Sequence, residues 1–510
     1  MTKLFDALRY NFSLQFVSRL LSFGINMYLL RVVDSSVIGL VNVRLMLLYD
    51  TVLFLTREPM RKAPILNENL QRFVNLIWLS PLISIALCGV IVPLWMYGSS
   101  TPLALPVVLS FAGSAVIEAL AEPFCVISLR FSLDKHFAVS QGLLIALKRV
   151  FILALILATP IDHLTLFSVA QIVAAVAFTL FNYAAFYRYA VTGKAELASF
   201  RSYRDFFPRL SEGFDAGSIK AVSTLLAHSV LKQLLTDGSA VVMTFTRLLT
   251  LPQQAVYDSI ERLGSLVSRL LLAPLEESSF AYFSNAINNA KNSVFKQNTD
   301  SHDVLVRTFT ALMRDLIVCG LVVSAFGVPY SGVAVSIYGG QVLVANGGAS
   351  LLATYAVYIL IIAINGVTEA FAFATMNVEQ IFSHGGFLLV SSLVHLSLSY
   401  ALCLQFGAIG FILANMANMS VRIVYSWRHI NAYLGAACPS VFALLPSFGT
   451  IVFMGFALMG GLFSLVLFGS TPGLSHTLSH LAVGGVLFVM LALHIWQSER
   501  PFVTLMKKTQ

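Results

Sequence analysis

Runs of about twenty apolar residues, each closed by a short polar or turn-forming cluster, recur along this chain from Phe12 to about Trp496. About twenty residues is what a helix needs to cross the hydrocarbon of a bilayer. Stretches such as 75–95 and 449–469 are apolar on every face and lack the alternation of a barrel strand. A lipid-exposed backbone must satisfy its own polar groups, so the pattern predicts spanning helices and excludes a barrel. About fourteen spans are expected, near 14–33, 37–56, 75–97, 105–128, 137–158, 163–187, 217–236, 239–260, 309–330, 351–375, 384–403, 406–427, 442–467 and 477–496. Turn clusters at 97–102, 159–163 and 471–473 separate them. Only two connections are long, about 188–216 and about 278–308, and neither has the apolar pattern of a separate globular domain.

Composition sharpens this to an all-α polytopic membrane protein. Of 510 residues, 57% are hydrophobic and 11% charged, with a mean hydropathy of +0.82, whereas soluble domains carry roughly 25% charged residues. Lys and Arg concentrate in alternate connections, around 57–72, 130–135, 188–209 and 291–307, and at both termini. The intervening connections around 98–104, 159–162, 331–350 and 468–476 contain none. By the positive-inside rule both termini lie in the cytosol, and the net charge of +8 is a topology signal, not a nucleic-acid footprint. The first apolar segment lacks a small-residue cleavage site and is expected to remain a span. Lys507 and Lys508, near the carboxyl terminus, match a dilysine endoplasmic-reticulum retrieval signal or else anchor the last helix at anionic headgroups.

Candidate chemistry is sparse. The five cysteines are scattered through apolar segments, as neither a disulfide framework nor a zinc pattern. No Walker A pattern, metal-ligand spacing or nucleophile–base set is present, so no nucleotide, metal, cofactor or enzymatic activity is expected.

The chain resembles itself. A shift of 218 residues aligns Arg44-Leu45 with Arg262-Leu263 and Glu58 with Glu276. A shift of 251 aligns Glu118-Ala-Leu-Ala121 with Glu369-Ala-Phe-Ala372, and Ala170-Gln171 pairs with Ala414-Asn415. Chance likeness between apolar helices is the alternative reading. Taken as a parallel repeat, the matches predict a six-helix half at 10–190, a cytosolic linker at 191–216, a second six-helix half at 217–430, and two extra helices with a tail at 431–510. Two such halves enclose a central cavity, the usual place for a transported substrate.

Charges at membrane depth then become informative, because each must face a cavity or a partner. Arg44, Lys148, Arg149, Arg247, Arg262, Glu118, Glu122 and Glu369 lie in or near predicted spans. Glu118 and Glu122 share one helical face and either clamp an arginine of a neighbouring helix or line a cavity. For the arginines, the planar fork suits the phosphate oxygens of an anionic headgroup. Pro59 marks a helix break that would aim Arg57 and Arg61 inward; plain topological anchoring is the alternative. The repeat mate, 273–278, keeps the proline and acid without the cations, which suits an asymmetric substrate.

Asn42-Val-Arg-Leu45, Arg57-Glu58, Glu122-Pro-Phe124, Val256-Tyr-Asp258, Pro274-Leu-Glu-Glu-Ser278, Ile337-Tyr-Gly-Gly340, Ile364-Asn-Gly-Val-Thr-Glu369 and Gly410-Phe-Ile-Leu-Ala-Asn415 closely resemble the Rft family of the endoplasmic reticulum, over about 10–430. The resemblance implies the fold of the multidrug/oligosaccharidyl-lipid/polysaccharide superfamily. It also implies a role in N-glycosylation, helping to move a mannose-rich heptasaccharide pyrophosphate dolichol from the cytosolic to the lumenal leaflet of the endoplasmic reticulum. Members either move that lipid themselves or support its assembly as non-transporting binding factors; a cation-coupled small-molecule exporter is a third reading. By motif the implied residues are Arg57, Arg61, Glu122, Lys135, Arg269, Glu276, Glu277, Asn365 and Glu369. Together with Arg44 and Arg262 from the charge analysis, Arg57, Arg61, Glu122, Lys135, Arg269, Asn365 and Glu369 are the cavity candidates. Glu58, Glu118, Glu276 and Glu277 are the structural candidates. Tyr49, Gln15, Gln171, Asn365 and Asn415 would line a sugar path.

Overall fold

The computed structural model describes residues 23–62, 69–99, 103–209, 211, 213–292, 299–469 and 473–499. Among them the regular structure is helical throughout, without a strand. Among the described residues, ten helices are long and apolar enough to cross a membrane. The predicted first span reaches the described residues only at 23–33, and Gln15, Lys507 and Lys508 lie outside them.

The chain divides into two compact units, Met1–Ala255 and Val256–Gln510. In the first, α1 (23–32) is followed by α2 (Ser35–Lys62), α3 (Leu70–Gly98), α4 (Leu105–Arg130), α5 (Asp134–Ala158), α6 (His163–Thr192), α7 (Ala216–Thr236) and the short α8 (Gly238–Phe245). Asp34 caps α2, its carboxylate accepting from the Ser36 N–H at 2.6 Å. A π-helical turn, Leu40–Leu45, then inserts one residue per bond into α2 and carries Arg44 into the core.

Proline explains the bend of α4. Pro123 has no N–H to give the carbonyl of Ala119, so the helix opens at Leu120 and Ala121. The exposed carbonyls are recovered from the side, by the Ser80 hydroxyl on Ala119 at 3.4 Å and the Tyr183 hydroxyl on Leu120 at 3.4 Å. Just beyond the bend, Phe124 centres an aromatic cluster, 4.7 Å from Tyr183 and 4.8 Å from Phe186 between ring centroids.

The long polar connection of this unit is not a free loop. Its short helical turns Ala195–Leu197 and Tyr203–Phe206 bury Leu197, Phe200 and Phe206 in the same cluster. The Trp78 indole donates to the Phe206 carbonyl at 2.7 Å, and the Asn75 amide donates to the carbonyls of Arg209 and Gly213 at 2.8 and 2.9 Å. The segment is therefore pinned to α3 by bonds to its backbone.

The stretch from α8 onward departs most from the pattern. The predicted span 239–260 is not one helix: α8 ends at Phe245, and after a non-helical stretch α9 begins at Leu251. Helix α9 then runs from Leu251–Val267 through a π turn, Ser268–Leu272, into Ala273–Asn292. The predicted loop at 278–308 is thus helical up to Asn292, and helical again from Thr299. Helix α10 (Thr299–Ala345) spans 47 residues in two pieces that meet at a kink at Gly340, and absorbs much of the predicted loop at 331–350. The reason is physical: an apolar run measures bilayer thickness, and a helix continues past it wherever polar residues remain good helix formers. The end of α10 is broken by Gly340, whose φ of 64° is left-handed backbone that favours glycine.

Five helices complete the unit's core and its periphery: α11 (Gly348–Thr375), α12 (Val378–Phe406), α13 (Ile409–Leu434) and the closing pair α14 (Phe448–Phe468) with α15 (Leu474–Ser498). The predicted thirteenth span starts late because Val441–Leu444 is a separate short turn. Phe283, Phe309 and Phe371 pack at 4.7 to 6.2 Å between centroids, joining α9, α10 and α11. At Gly264 of α9 a Cβ would lie 2.2 Å from the Tyr355 ring, so only glycine admits this approach to α11.

Candidate functional site

Five polar side chains from two helices of the first unit form a buried network. Helix α2 presents Tyr49, Arg57 and Arg61, and the bend of α4 presents Glu118 and Glu122. Both carboxylates of α4 are fully buried, while Arg57 and Arg61 keep 17% and 26% of their side chains accessible. Arg57 bridges the two acids, reaching Glu118 at 2.9 Å and Glu122 at 3.1 Å. Arg61 takes Glu122 with two bonds, at 2.5 and 3.0 Å, and lies over the Phe137 ring at 5.3 Å. The Tyr49 hydroxyl donates to Glu118. Two arginines thus neutralise two carboxylates in a place where an unpaired charge is costly.

Local sequence explains the registration. Arg57 and Arg61 are four apart and Glu118 and Glu122 are four apart, so each pair stands on one helical face. Pro59 lies inside α2 and does not break it; the expectation of a break there is corrected. Its ring sits one turn above Leu55, and the helix carries on to Lys62.

Beside this network is a cavity of about 610 Å³ within the first unit. Its walls carry the cations Arg57, Arg61, Lys148 and Arg149, and the acids Asp50, Glu58 and Asp237. Glu58 holds Lys62 at 2.6 Å and Lys232 of α7 at 2.9 Å. On α7, Gln233 donates to Asp237 at 2.5 Å. Lys148 of α5 sits 3.1 Å from the Met46 sulfur and 5.1 Å over the Tyr49 ring, and Arg149 donates to the Asn26 amide oxygen at 2.5 Å.

Other expected residues stand elsewhere. Arg44 is buried, donates to Gln254 at 3.1 Å and to Ser99 at 3.2 Å, and its carbonyl accepts from the Trp95 indole at 3.1 Å. It ties α2 to α3 and to the start of α9, and does not line the cavity. Lys135 is exposed in the first turn of α5, and Arg247 is exposed after α8.

The second unit holds its own acid–arginine pair. Glu369 of α11 accepts from Arg422 of α13 at 2.6 and 2.7 Å, and from the Asn365 amide at 3.0 Å. His384 of α12 is buried, 4.0 Å from Glu369, among the rings of Phe373, Tyr425 and Phe387. Arg262 is held by both oxygens of Asp258, four residues earlier, at 2.8 and 2.9 Å, and Arg269 is exposed in the π turn of α9. Glu276 and Glu277 line a second cavity, of about 490 Å³, with Phe280, Ala370, Phe373 and Ile381. Its charge is acidic where that of the first cavity includes four cations. The sugar-path candidates Gln171 and Asn365 are buried, each with a side-chain oxygen lacking a hydrogen-bond partner.

Arg422 is the residue that sequence reasoning missed. It lies inside a predicted span, so the cost of an unpaired arginine at membrane depth was the available signal. His384 gave no such signal, because a lone histidine on an apolar helix is most often core.

A family model described as "Rft-1: Rft protein" matches residues 3–509. The Caenorhabditis elegans protein named "Man(5)GlcNAc(2)-PP-dolichol translocation protein RFT1" is 51% identical over 512 residues, covering 98% of each chain. The Xenopus tropicalis protein of the same name is 35% identical over 492 residues, covering 94% of this chain and 91% of its own. Among solved structures, the lipid II flippase MurJ in an inward closed conformation is similar with a TM-score of 0.58 at 14% identity, covering 96% of this chain and 99% of that one. An inward-facing multidrug resistance MATE family transporter of the MOP superfamily is similar with a TM-score of 0.57 at 14% identity, covering 82% and 95%. At such identities these two likenesses speak for the fold.

Proposed function

The chain belongs to the Rft family, and from that premise we propose that it is a glycolipid transporter that helps move Man5GlcNAc2-PP-dolichol from the cytosolic to the lumenal leaflet of the endoplasmic reticulum. The observation that carries this reading is the first unit's cavity, which brings four cations to helices of spanning length and composition. A diphosphate crossing a low-dielectric slab needs cationic partners on its way. Two curated relatives carry the translocation of that lipid in their names, and the fold is shared with a lipid II flippase.

The same proposal includes fourteen spans arranged as two six-helix halves and a closing pair, with both termini in the cytosol. What supports it is the one-sided distribution of Lys and Arg. Lys507 and Lys508 serve as the retrieval signal, and the chain acts by binding and moving its cargo, without catalysis.

Leaflet exchange tests this. Full-length protein in liposomes is expected to expose a Man5GlcNAc2-PP-dolichol probe to a glycan-binding reagent faster than empty liposomes do. Exchange equal to empty liposomes, with the probe still bound by the protein, would turn the reading to a non-transporting glycolipid-binding factor.

A further inference from the structure

We propose that His384 of α12 and Glu369 of α11 form a proton-binding site in the second unit, where the His384 imidazole carries the proton and the Glu369 carboxylate holds it.

The first observation is a set of idle polar atoms around Glu369. Both ring nitrogens of His384, the Oδ1 of Asn365 and the Nε of Arg422 are buried and have no hydrogen-bond partner among the described residues. Groups of this kind cost free energy until something satisfies them. His384 is 1% exposed and is enclosed by the rings of Phe373, Tyr425 and Phe387. Its Nε2 lies 4.0 Å from Oε1 of Glu369, too far for a hydrogen bond and near enough to become one after a small turn of the ring. That oxygen accepts from Arg422 at 2.7 Å, whereas Oε2 accepts from both Arg422 and Asn365. The oxygen that faces the histidine therefore has room for another donor.

The second observation is the balance of charge. Glu276 of α9 stands against Gly366, its Oε2 3.0 Å from where a Cβ would lie, and it interacts with Glu369, Arg422 and Glu277. Two carboxylates thus share one arginine, with a third close by. In the first unit, Glu118 and Glu122 meet two permanent cations, Arg57 and Arg61. From α13, Arg422, Tyr425 and His429 face His384, and His429 is itself 2.9 Å from the Thr375 hydroxyl. His384 is the group placed to supply the missing positive charge.

Glu276, Glu277 and Phe373 also line the second cavity, through which protons reach the cluster. The ring nitrogen that lacks a hydrogen takes a proton from water, and the imidazolium then donates from Nε2 to Oε1 of Glu369. The 4.0 Å approach becomes a charge-assisted bond that ties α12 to α11. Release of the proton undoes that tie.

The test needs no glycolipid. Infrared pH-difference spectra of the full chain in phosphatidylcholine nanodiscs, taken between about pH 5 and 8, should contain an imidazole component that His384→Gln removes and His429→Gln retains. His384→Gln should nearly keep its melting temperature at about pH 8, since the neutral ring has no hydrogen bond to lose. A folded His384→Gln variant with the wild-type difference spectrum would overturn the proposal. Nitrogen-15 NMR of wild type labelled at histidine needs no variant to fold. A cross-peak between an imidazolium nitrogen and a glutamate carboxylate carbon, present near pH 5 and lost near pH 8, supports the site; its absence at both overturns it.

Discussion

Glu118 in the first unit and Glu369 in the second occupy aligned positions, and each holds an arginine, yet the arginines come from different places. Arg57 descends from α2, the helix preceding the glutamate by two, whereas Arg422 lies on α13, two helices after Glu369. At the position corresponding to Arg422, the first unit has Phe178, fully buried against Ala121 and Cys125. The position corresponding to Arg57 in the second is Leu275. In both units a buried acid is neutralised by an arginine, and the helix that supplies it differs.

The comparison can be broken by removing one arginine at a time. Arg57→Ala leaves two fully buried carboxylates with Arg61 alone, and is expected to cost about 3–5 kcal/mol, read as a collapse of the thermal-unfolding midpoint. Arg422→Ala should cost less, since Glu369 keeps Asn365 and has His384 at 4.0 Å as a candidate second partner. Equal losses would show that the two pairs are equally isolated. Next in size is Phe124→Ala, which empties the aromatic cluster of the first unit at about 3–5 kcal/mol; Phe371→Ala in the second should match it, because both rings are fully buried. Tyr49→Phe removes a hydroxyl bonded to Glu118 and should cost about 1.5–3 kcal/mol; at Glu369 the neutral donor is the Asn365 amide.

The smallest effect sharpens the contrast at the periphery. Burial opposes ionisation of Glu499, just past α15, but the Ser447 N–H, the Thr450 hydroxyl and Arg314 hold its carboxyl below the usual carboxylate range. A carboxyl lowered in the folded state adds stability above its unfolded pKa, near 4.3, and loses it as pH falls through the folded value. Wild type should therefore exceed Glu499→Gln in unfolding midpoint at pH 7, and the gap should close below about pH 4.

Much of the architecture is legible in sequence because lipid exposure is a local, additive property. Helices such as α5 and α6 were readable to within a few residues, since each apolar run is bounded by Asp134, or by Pro160 and Asp162. The run 239–260 misled, because apolar content continues across the non-helical stretch between α8 and α9. The polar stretch beyond Glu276 misled in the opposite sense, as it stays helical without being apolar.

The candidate residues were legible as a set, because charges at membrane depth are rare and conspicuous. Their pairing was not. The distance from Arg57 to Glu122 is 65 positions along the chain, and from Glu369 to Arg422 it is 53. Sequence by itself determined that this is an all-helical membrane protein of the Rft family, with cations and acids inside its spans. Only the tertiary structure decided which charge meets which, that two arginines expected at a substrate are bound to buried glutamates, and that Lys148 and Arg149 share their cavity. Hydrophobicity accumulates residue by residue, but an ion pair exists only where packing brings charged side-chain atoms of two distant helices to within about 3 Å of each other.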